Sequence, residues 1–143
     1  SLKVEQVQAL KGDVARGRNL SAACFMCHKI GDQGSDVGPE LTSWGRTQTL
    51  DVVIRSIIDP SADIAHGYSA EVIKTEDGKE IHGIVLSNAD PVIVSSMGGV
   101  VQMIPKGRII SKRSLNRSLM LTAEQLGLGA QEVADLAAYL KSL

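Results

Sequence analysis

The hydrophobic residues of this chain follow a helical period in three places. Intervals of three and four residues predict an amphipathic helix over 130–142 and another over 48–58, the second stopped by Asp59-Pro60. Asp13 is placed to cap a third, shorter helix over 13–23. Helical segments therefore lie on both sides of the middle of the chain.

A glycine inside the first of these helices indicates close packing. Gly17 is unfavourable at such a position by about 1 kcal/mol relative to alanine. We therefore expect another element to approach Gly17 closely, and the terminal helix, with Tyr139, is the best candidate.

Between the second and the last helix the hydrophobic period changes from 3.6 to 2, which is typical of strands. Five segments rich in β-branched and aliphatic residues are separated by turn residues. They cover 68–75, 80–87, 91–96, 100–104 and 108–112. We predict a small antiparallel sheet or barrel over 68–113, inserted within a single domain of residues 1–143.

The segment Cys24-Phe25-Met26-Cys27-His28 has the spacing of a c-type haem attachment site. Each thiol adds to one vinyl group of the haem, and the histidine becomes an axial ligand of the iron. A redox-active cysteine pair is an alternative, but it belongs on a βαβ pattern that this chain lacks. Half of a zinc site is another, but the remaining histidines, His66 and His82, are distant. We predict one covalently attached haem c.

Composition narrows the class of protein. Hydrophobic residues make up 43% of the chain and aromatic residues only 3%, so aliphatic side chains form most of the core, and a haem would add a large apolar body. The net charge of −1 argues against a nucleic-acid-binding protein. No apolar run reaches the roughly 20 residues of a membrane span.

Haem attachment also predicts the compartment, because in bacteria it occurs outside the cytoplasm. We therefore expect an exported, periplasmic protein. The chain begins at Ser1 with neither the charged nor the apolar region of an export signal, which favours a mature or excised form.

Three residues after the motif are candidates for holding the haem. The Pro39 carbonyl, in Val37-Gly38-Pro39-Glu40-Leu41, is a rigid acceptor for the second ring nitrogen of His28, although an ordinary Gly-Pro turn is the alternative. Trp44 and Arg46 carry only donors and suit a haem propionate. For Trp44 a position in the core is the alternative.

The sixth ligand of the iron decides the function. Methionine closes the iron and raises its reduction potential, a second histidine lowers the potential, and an empty site admits small molecules. Three of the four methionines lie between the cysteines or in the predicted β segments: Met26, Met97 and Met103. Met120 remains, in an irregular stretch where a hydrophobic anchor is the alternative. His66 or His82 is the fallback ligand.

Several motifs taken together have a familiar order: Gly12-Asp13, Arg16-Gly17, 24–28, 37–41 and 135–140. In this order they resemble class I cytochromes c. More narrowly, the chain is similar to the Pirellula/Verrucomicrobium-type haem-binding domain. That resemblance covers essentially residues 12–143 and adds further segments: 58–65, Gly67-Tyr68, Asp77-Gly78, Gly83 and 118–120.

The resemblance implies a mainly α cytochrome c fold, with three to five helices around the haem and an inserted antiparallel sheet or barrel, α+β overall. It implies His28 as the proximal ligand and Met120 as the distal ligand. Two positions depart from the family pattern, because His66 and Leu121 stand where proline is frequent. The second departure leaves the methionine loop less rigid.

We expect an electron carrier without enzymatic activity. Members of the family are often the C-terminal part of large exported proteins, so the partner is a separate redox protein or a fused dehydrogenase-like domain. A haem-based sensor with an open or labile sixth site is the alternative, and a peroxide-activating enzyme would need polar distal groups such as His66. Three roles are open for the β insertion: covering the haem, binding a partner domain, or forming a homodimer through an edge strand.

Overall fold

The structure, a computed structural model, describes all residues from Ser1 to Leu143 and has an α+β fold. Five α-helices occur in chain order: α1 (Val4–Gln8), α2 (Val14–Leu20), α3 (Trp44–Thr47), α4 (Leu50–Ile58) and α5 (Ala130–Ser142). Short 3₁₀ turns cover Ser21–Cys24, Met97–Gly99 and Lys106–Arg108. No helix combines the length and the apolar character that crossing a membrane requires.

The strands form two antiparallel sheets. The small one pairs β1 (Lys29–Ile30) with β2 (Gln33–Gly34). The large one has five strands: β3 (Glu71–Thr75), β4 (Glu80–Ser87), β5 (Val92–Ser96), β6 (Val100–Ile104) and β7 (Ile109–Ser114). Their order in the sheet is β6-β5-β4-β3-β7, so β6 and β7 are its open edges.

The prediction of a mainly α cytochrome c fold is wrong. Helix content is 34%, and only three of the five helices have seven residues or more. The five-stranded sheet is the largest regular part of the molecule. The physical reason is the length of the β-branched run, which supplies a complete sheet with its own hydrophobic core.

That second core is separate from the one between the helices. Four buried side chains in the sheet pack together: Ile73, Val92, Val94 and Ile104. The helical core contains residues of α1, α4 and α5, including Val7, Ile54 and Leu136. The molecule thus has a helical layer and a sheet, each stabilised by its own apolar cluster.

Where the hydrophobic period is long, the predicted elements are confirmed. Helix α5 has the predicted bounds of 130–142, and α4 begins at Leu50 instead of residue 48. Four of the five predicted β segments contain one strand each, and the fifth, 108–112, overlaps β7, which continues to Ser114. The helix predicted over 13–23 ends earlier, at Leu20, and continues as a 3₁₀ turn to Cys24.

Helix α5 packs against α2, and the contact is as close as Gly17 predicts. A Cβ atom on Gly17 would collide with the Asp135 carbonyl and lie 2.8 Å from Tyr139 Cβ. The close approach of Tyr139 is confirmed, and it explains why glycine is required here.

Asp135 fixes the angle between the same two helices. Its side chain is 2% exposed and accepts hydrogen bonds from Asp13 N–H at 2.8 Å and Arg16 Nε at 2.9 Å. Gln131 Nε2 donates a third bond at 3.0 Å. The hydrogen bond from Arg16, assisted by the other two, lowers the pKa of Asp135 against the opposing effect of burial. This network positions α2, whose C-terminal end leads into the candidate site.

Candidate functional site

The two cysteines lie in a single tight turn that follows α2. Cys27 N–H and His28 N–H both donate to the Cys24 carbonyl, at 3.2 and 2.9 Å. The turn continues the helical winding of Ser21–Cys24 for one more step. Both thiols and the imidazole are therefore presented from one short segment of backbone, which we call the attachment loop (residues 24–28).

The chain then folds back over the attachment loop. Val37 N–H donates to the Cys27 carbonyl at 3.1 Å, and Gly38 N–H donates to the same oxygen. Leu41 N–H bonds the Lys29 carbonyl at 2.8 Å. These bonds bring Pro39 next to the ring of His28.

The imidazole of His28 is held by this returning segment. Its Nδ1 donates to the Pro39 carbonyl at 2.6 Å, so the predicted hydrogen bond is confirmed. Because Nδ1 is the donor, the lone pair of the neutral ring lies on Nε2. Gly38 lies against the ring, since a Cβ atom there would be 2.7 Å from His28 Cε1.

The local environment favours the neutral forms of Cys24, Cys27 and His28. Burial lowers the pKa of His28, opposed by the hydrogen bond to Pro39. Burial also raises the pKa of the Cys24 thiol, with a smaller contribution from Cys27, and raises the pKa of the Cys27 thiol itself. The cysteines form no disulfide. A thiol–disulfide catalyst instead needs a cysteine with a lowered pKa.

A cavity of about 270 Å³ lies between the attachment loop, the helices and the sheet. Of its 26 lining residues, 18 are hydrophobic, which suits an apolar ligand held by a few polar groups. Six of the residues predicted for the site line it: Cys24, Cys27, His28, Pro39, Trp44 and Met120. The fold therefore brings together residues that are far apart in the sequence.

Trp44 reaches the cavity wall from the helical core, whereas Met120 reaches it from a loop. Trp44 lines the cavity and also packs against the helical core, so its predicted core position is confirmed, and its role as a donor to a propionate stays a prediction. Met120 is half-buried in a loop. Its N–H donates to Ser118 Oγ at 3.1 Å, and Ser118 N–H donates to Ser61 Oγ at 3.1 Å. These bonds tie the Met120 loop to the loop after α4.

Three predicted residues are not brought to the cavity. Arg46 is exposed on α3 and does not line the cavity, so it does not join Trp44 there. His66 is also exposed and outside the lining. His82 lies on the sheet beside Glu80, with 3.9 Å between Nε2 and Oε2, and is likewise absent from the lining. Neither fallback ligand faces His28 across the cavity.

Sequence reasoning missed part of the wall. The loop after α4 contributes Asp63, Ile64 and Tyr68, and strand β4 contributes Ile84. Ile84 alternates with the residues of the sheet core, and that period predicts only that it lies on the opposite face. Through Ile84 the β insertion contributes to the cavity wall, and its three possible roles, covering the haem, binding a partner domain and forming a homodimer, stay predictions.

No set of three or more His, Cys, Asp or Glu side chains is arranged to hold a metal ion by itself. The two cysteines and His28 therefore do not converge as a zinc site would require.

Comparison with known proteins adds no relative. No protein-family model matches the chain, and no curated protein matches its sequence. The function is therefore inferred from the chemistry and geometry of the cavity.

Proposed function

We propose that this protein carries one haem c, attached through Cys24 and Cys27, and transfers electrons to or from a redox partner. His28 and Met120 are the axial ligands in this proposal. The main support for this proposal is the way His28 is held and placed. Its Nδ1 is bonded to the Pro39 carbonyl, and its ring lines an apolar cavity together with both thiols and Met120.

The side chains present fit a haem. Two neutral thiols, one imidazole and one thioether are the donor set of a c-type haem with histidine and methionine ligation. Gly38 leaves the space that the His28 ring needs, and the hydrophobic lining suits a porphyrin face. The zinc and dithiol alternatives receive no support, because no metal-holding set forms and burial raises both thiol pKa values.

When bound, the haem supplies one-electron chemistry at its iron. The protein contributes orientation and exclusion of water. The Pro39 carbonyl holds the His28 ring and increases its basicity as a ligand. The Met120 thioether would supply a second ligand to the iron, and the aliphatic walls would keep its surroundings apolar, which favours the less charged oxidation state.

The arrangement supports a carrier over a peroxide-activating enzyme. Peroxide chemistry needs a polar group such as histidine or arginine beside an open iron. His66 and Arg46 both lie outside the cavity lining. The partner in this proposal is a separate redox protein or a fused dehydrogenase-like domain, and the compartment is the periplasm, where such haems are attached.

Carbon monoxide binding tests the assignment of Met120. We expect the ferrous protein to bind carbon monoxide poorly and the ferric protein to show a far-red sulfur-to-iron band. Met120→Ala should lose that band and bind carbon monoxide readily. Met103→Ala is the matched control, because Met103 is 69% exposed on β6 and does not line the cavity.

Two outcomes contradict the proposal. Ready binding of carbon monoxide by the unaltered ferrous protein favours the sensor with an open or labile sixth site. An unchanged far-red band in Met120→Ala assigns the sixth ligand to another residue.

A further inference from the structure

The turn between β5 and β6 touches the attachment loop. Gly98 N–H donates to the Met26 carbonyl at 2.7 Å. The neighbouring Gly99 approaches Ser35 so closely that a Cβ atom would lie 3.1 Å from Ser35 Cβ. The turn Met97–Gly99 is therefore packed directly on the segment that carries both cysteines.

The hydrogen bond from Gly98 reaches the attachment loop at the peptide group just before Cys27. The Met26 carbonyl belongs to the peptide group that leads into Cys27, and it also accepts a bond from Ser35 Oγ at 2.6 Å. The next peptide group, which leads into His28, is held through the Cys27 carbonyl by Val37 and Gly38. Because peptide groups are planar, fixing these two carbonyls restricts the backbone dihedral angles of Cys27, which lies between them, and places the backbone nitrogen of His28.

Gly98 lies in a different part of the chain from the other residues that donate hydrogen bonds to the attachment loop. Ser35, Val37 and Gly38 all belong to the segment that immediately follows the attachment loop. Gly98 belongs to the sheet, and its bond to Met26 joins that sheet to the loop. Its φ of +83° is in the left-handed region, which glycine adopts without strain.

We propose that Gly98 is a positioning residue through which the sheet sets the orientation of Cys27 and His28 towards the cavity. The inference rests on the proposed haem attachment for its functional meaning. The sheet then has two connections to the haem site: the Gly98 hydrogen bond and the Ile84 side chain in the cavity wall.

The chain offers a closely matched pair of variants. Gly78, in the turn between β3 and β4, has the same φ of +83° as Gly98, and at both positions a Cβ atom would enter open space. Gly98→Ala and Gly78→Ala therefore introduce the same local strain into turns of the same sheet. They differ in that only Gly98 bonds the attachment loop.

The first readout is amide hydrogen exchange of residues 24–28 in the full chain, measured by mass spectrometry. Gly98→Ala should increase the exchange rate about fivefold, which matches the lower limit of the cost of a left-handed conformation for alanine. Gly78→Ala should leave the rate unchanged. Ser35→Ala, which removes the other donor to the Met26 carbonyl, should increase the rate as well.

The second readout is the reduction potential of the pigmented protein. A loosened attachment loop weakens the bond between His28 and Pro39 and makes the ring a weaker donor, so the potential should rise in Gly98→Ala. Gly78→Ala should keep the potential of the unaltered protein, because a purely structural effect of sheet strain would appear in both variants.

Equal exchange rates and equal potentials in the two glycine variants would overturn the inference. If Gly98→Ala does not fold, Gly98→Asn and Gly78→Asn replace the alanine pair, because asparagine adopts the left-handed region more readily, and equal exchange and potential in those two variants overturn it instead. A colourless protein contradicts the proposed function alone, because the exchange comparison still decides whether Gly98 orders the loop.

Discussion

At the scale of single residues, the site depends on how His28 is held. Two neighbours restrict its ring, the Pro39 carbonyl by a hydrogen bond and Gly38 by contact. A carbonyl is a suitable partner because it only accepts, which leaves one tautomer of the imidazole available. The lone pair of Nε2 is thereby prepared before any ligand binds.

Gly38→Ala tests this arrangement. The new Cβ atom would lie 2.7 Å from His28 Cε1, closer than carbon atoms approach in proteins, so the ring must move away from Pro39. We expect a marked loss of haem per polypeptide, measured by absorbance against total protein. Gly107→Ala is the control, since nothing lies within 4 Å of its added Cβ atom. Equal haem content in both variants would show that the contact does not position the ring.

The residue scale also shows which site predictions could be made from the sequence. Cys24, Cys27, His28 and Pro39 lie close together in the chain, so their chemistry and spacing were sufficient to predict their contacts. Trp44 and Met120 required a guess about how distant segments meet, and both line the cavity. Arg46 does not, because α3 turns its side chain outwards, and no local pattern indicates that direction.

At the scale of elements, the junction of α2 and α5 organises the helical layer. Gly17 allows the two backbones to approach, and Asp135 accepts hydrogen bonds from Asp13 and Arg16 across the contact and one from Gln131 within α5. A buried carboxylate is tolerated because each of its bonds offsets part of the cost of losing water.

The lowered pKa of Asp135 predicts how stability depends on pH. Its folded pKa lies below the unfolded value of about 3.9, so the unfolded chain binds more protons in that range. The stabilisation is fully present above about pH 5 and decreases as the pH falls towards the folded pKa. Asp135→Asn should therefore be less stable than the unaltered protein at pH 7, and the difference should shrink at pH 3.

Urea denaturation at the two pH values measures this effect. Asp36→Asn is the control, because Asp36 is exposed and forms no ion pair. A difference between Asp135→Asn and the unaltered protein that is the same at pH 7 and pH 3 would contradict the assigned role of the carboxylate.

Long periodic elements could be predicted from the sequence, and short ones could not. Helices α4 and α5 and the five strands of the large sheet have enough residues for a period to be recognised. Helices α1 and α3 have five and four residues, and each buries a single residue, Val7 and Gly45 respectively. A helix of one turn is stabilised by its tertiary contacts, which no local pattern reveals.

At the scale of the whole molecule, the sheet changes the description of the fold. A resemblance carried by motifs of the helical segments gave too much weight to helices, although the strand segments themselves were recognised. The sheet has its own core, forms part of the cavity wall through Ile84 and bonds the attachment loop through Gly98. The strands could be predicted from the local period of hydrophobic residues. The contacts of Ile84 and Gly98 could not, because they depend on how the sheet packs against the helical layer.

The cavity belongs to this same scale, since its walls come from segments that are far apart in the chain. The attachment loop, α3, α4, α5, strand β4 and the Met120 loop all contribute. Sequence spacing identified the chemistry of the attachment loop and named Met120, but it did not show how the Met120 loop, the loop after α4 and strand β4 close the cavity. The proposed function depends on this closure, because it brings Met120 into the same cavity as Cys24, Cys27 and His28.

The most direct test of the account is the intact mass of the protein under denaturing conditions, after expression with a bacterial c-type haem maturation system. We predict a mass increase of one haem in the unaltered chain and none in the double variant Cys24→Ala/Cys27→Ala. A chain that keeps the mass of its bare polypeptide, or releases its pigment on denaturation, would contradict covalent attachment at the two thiols.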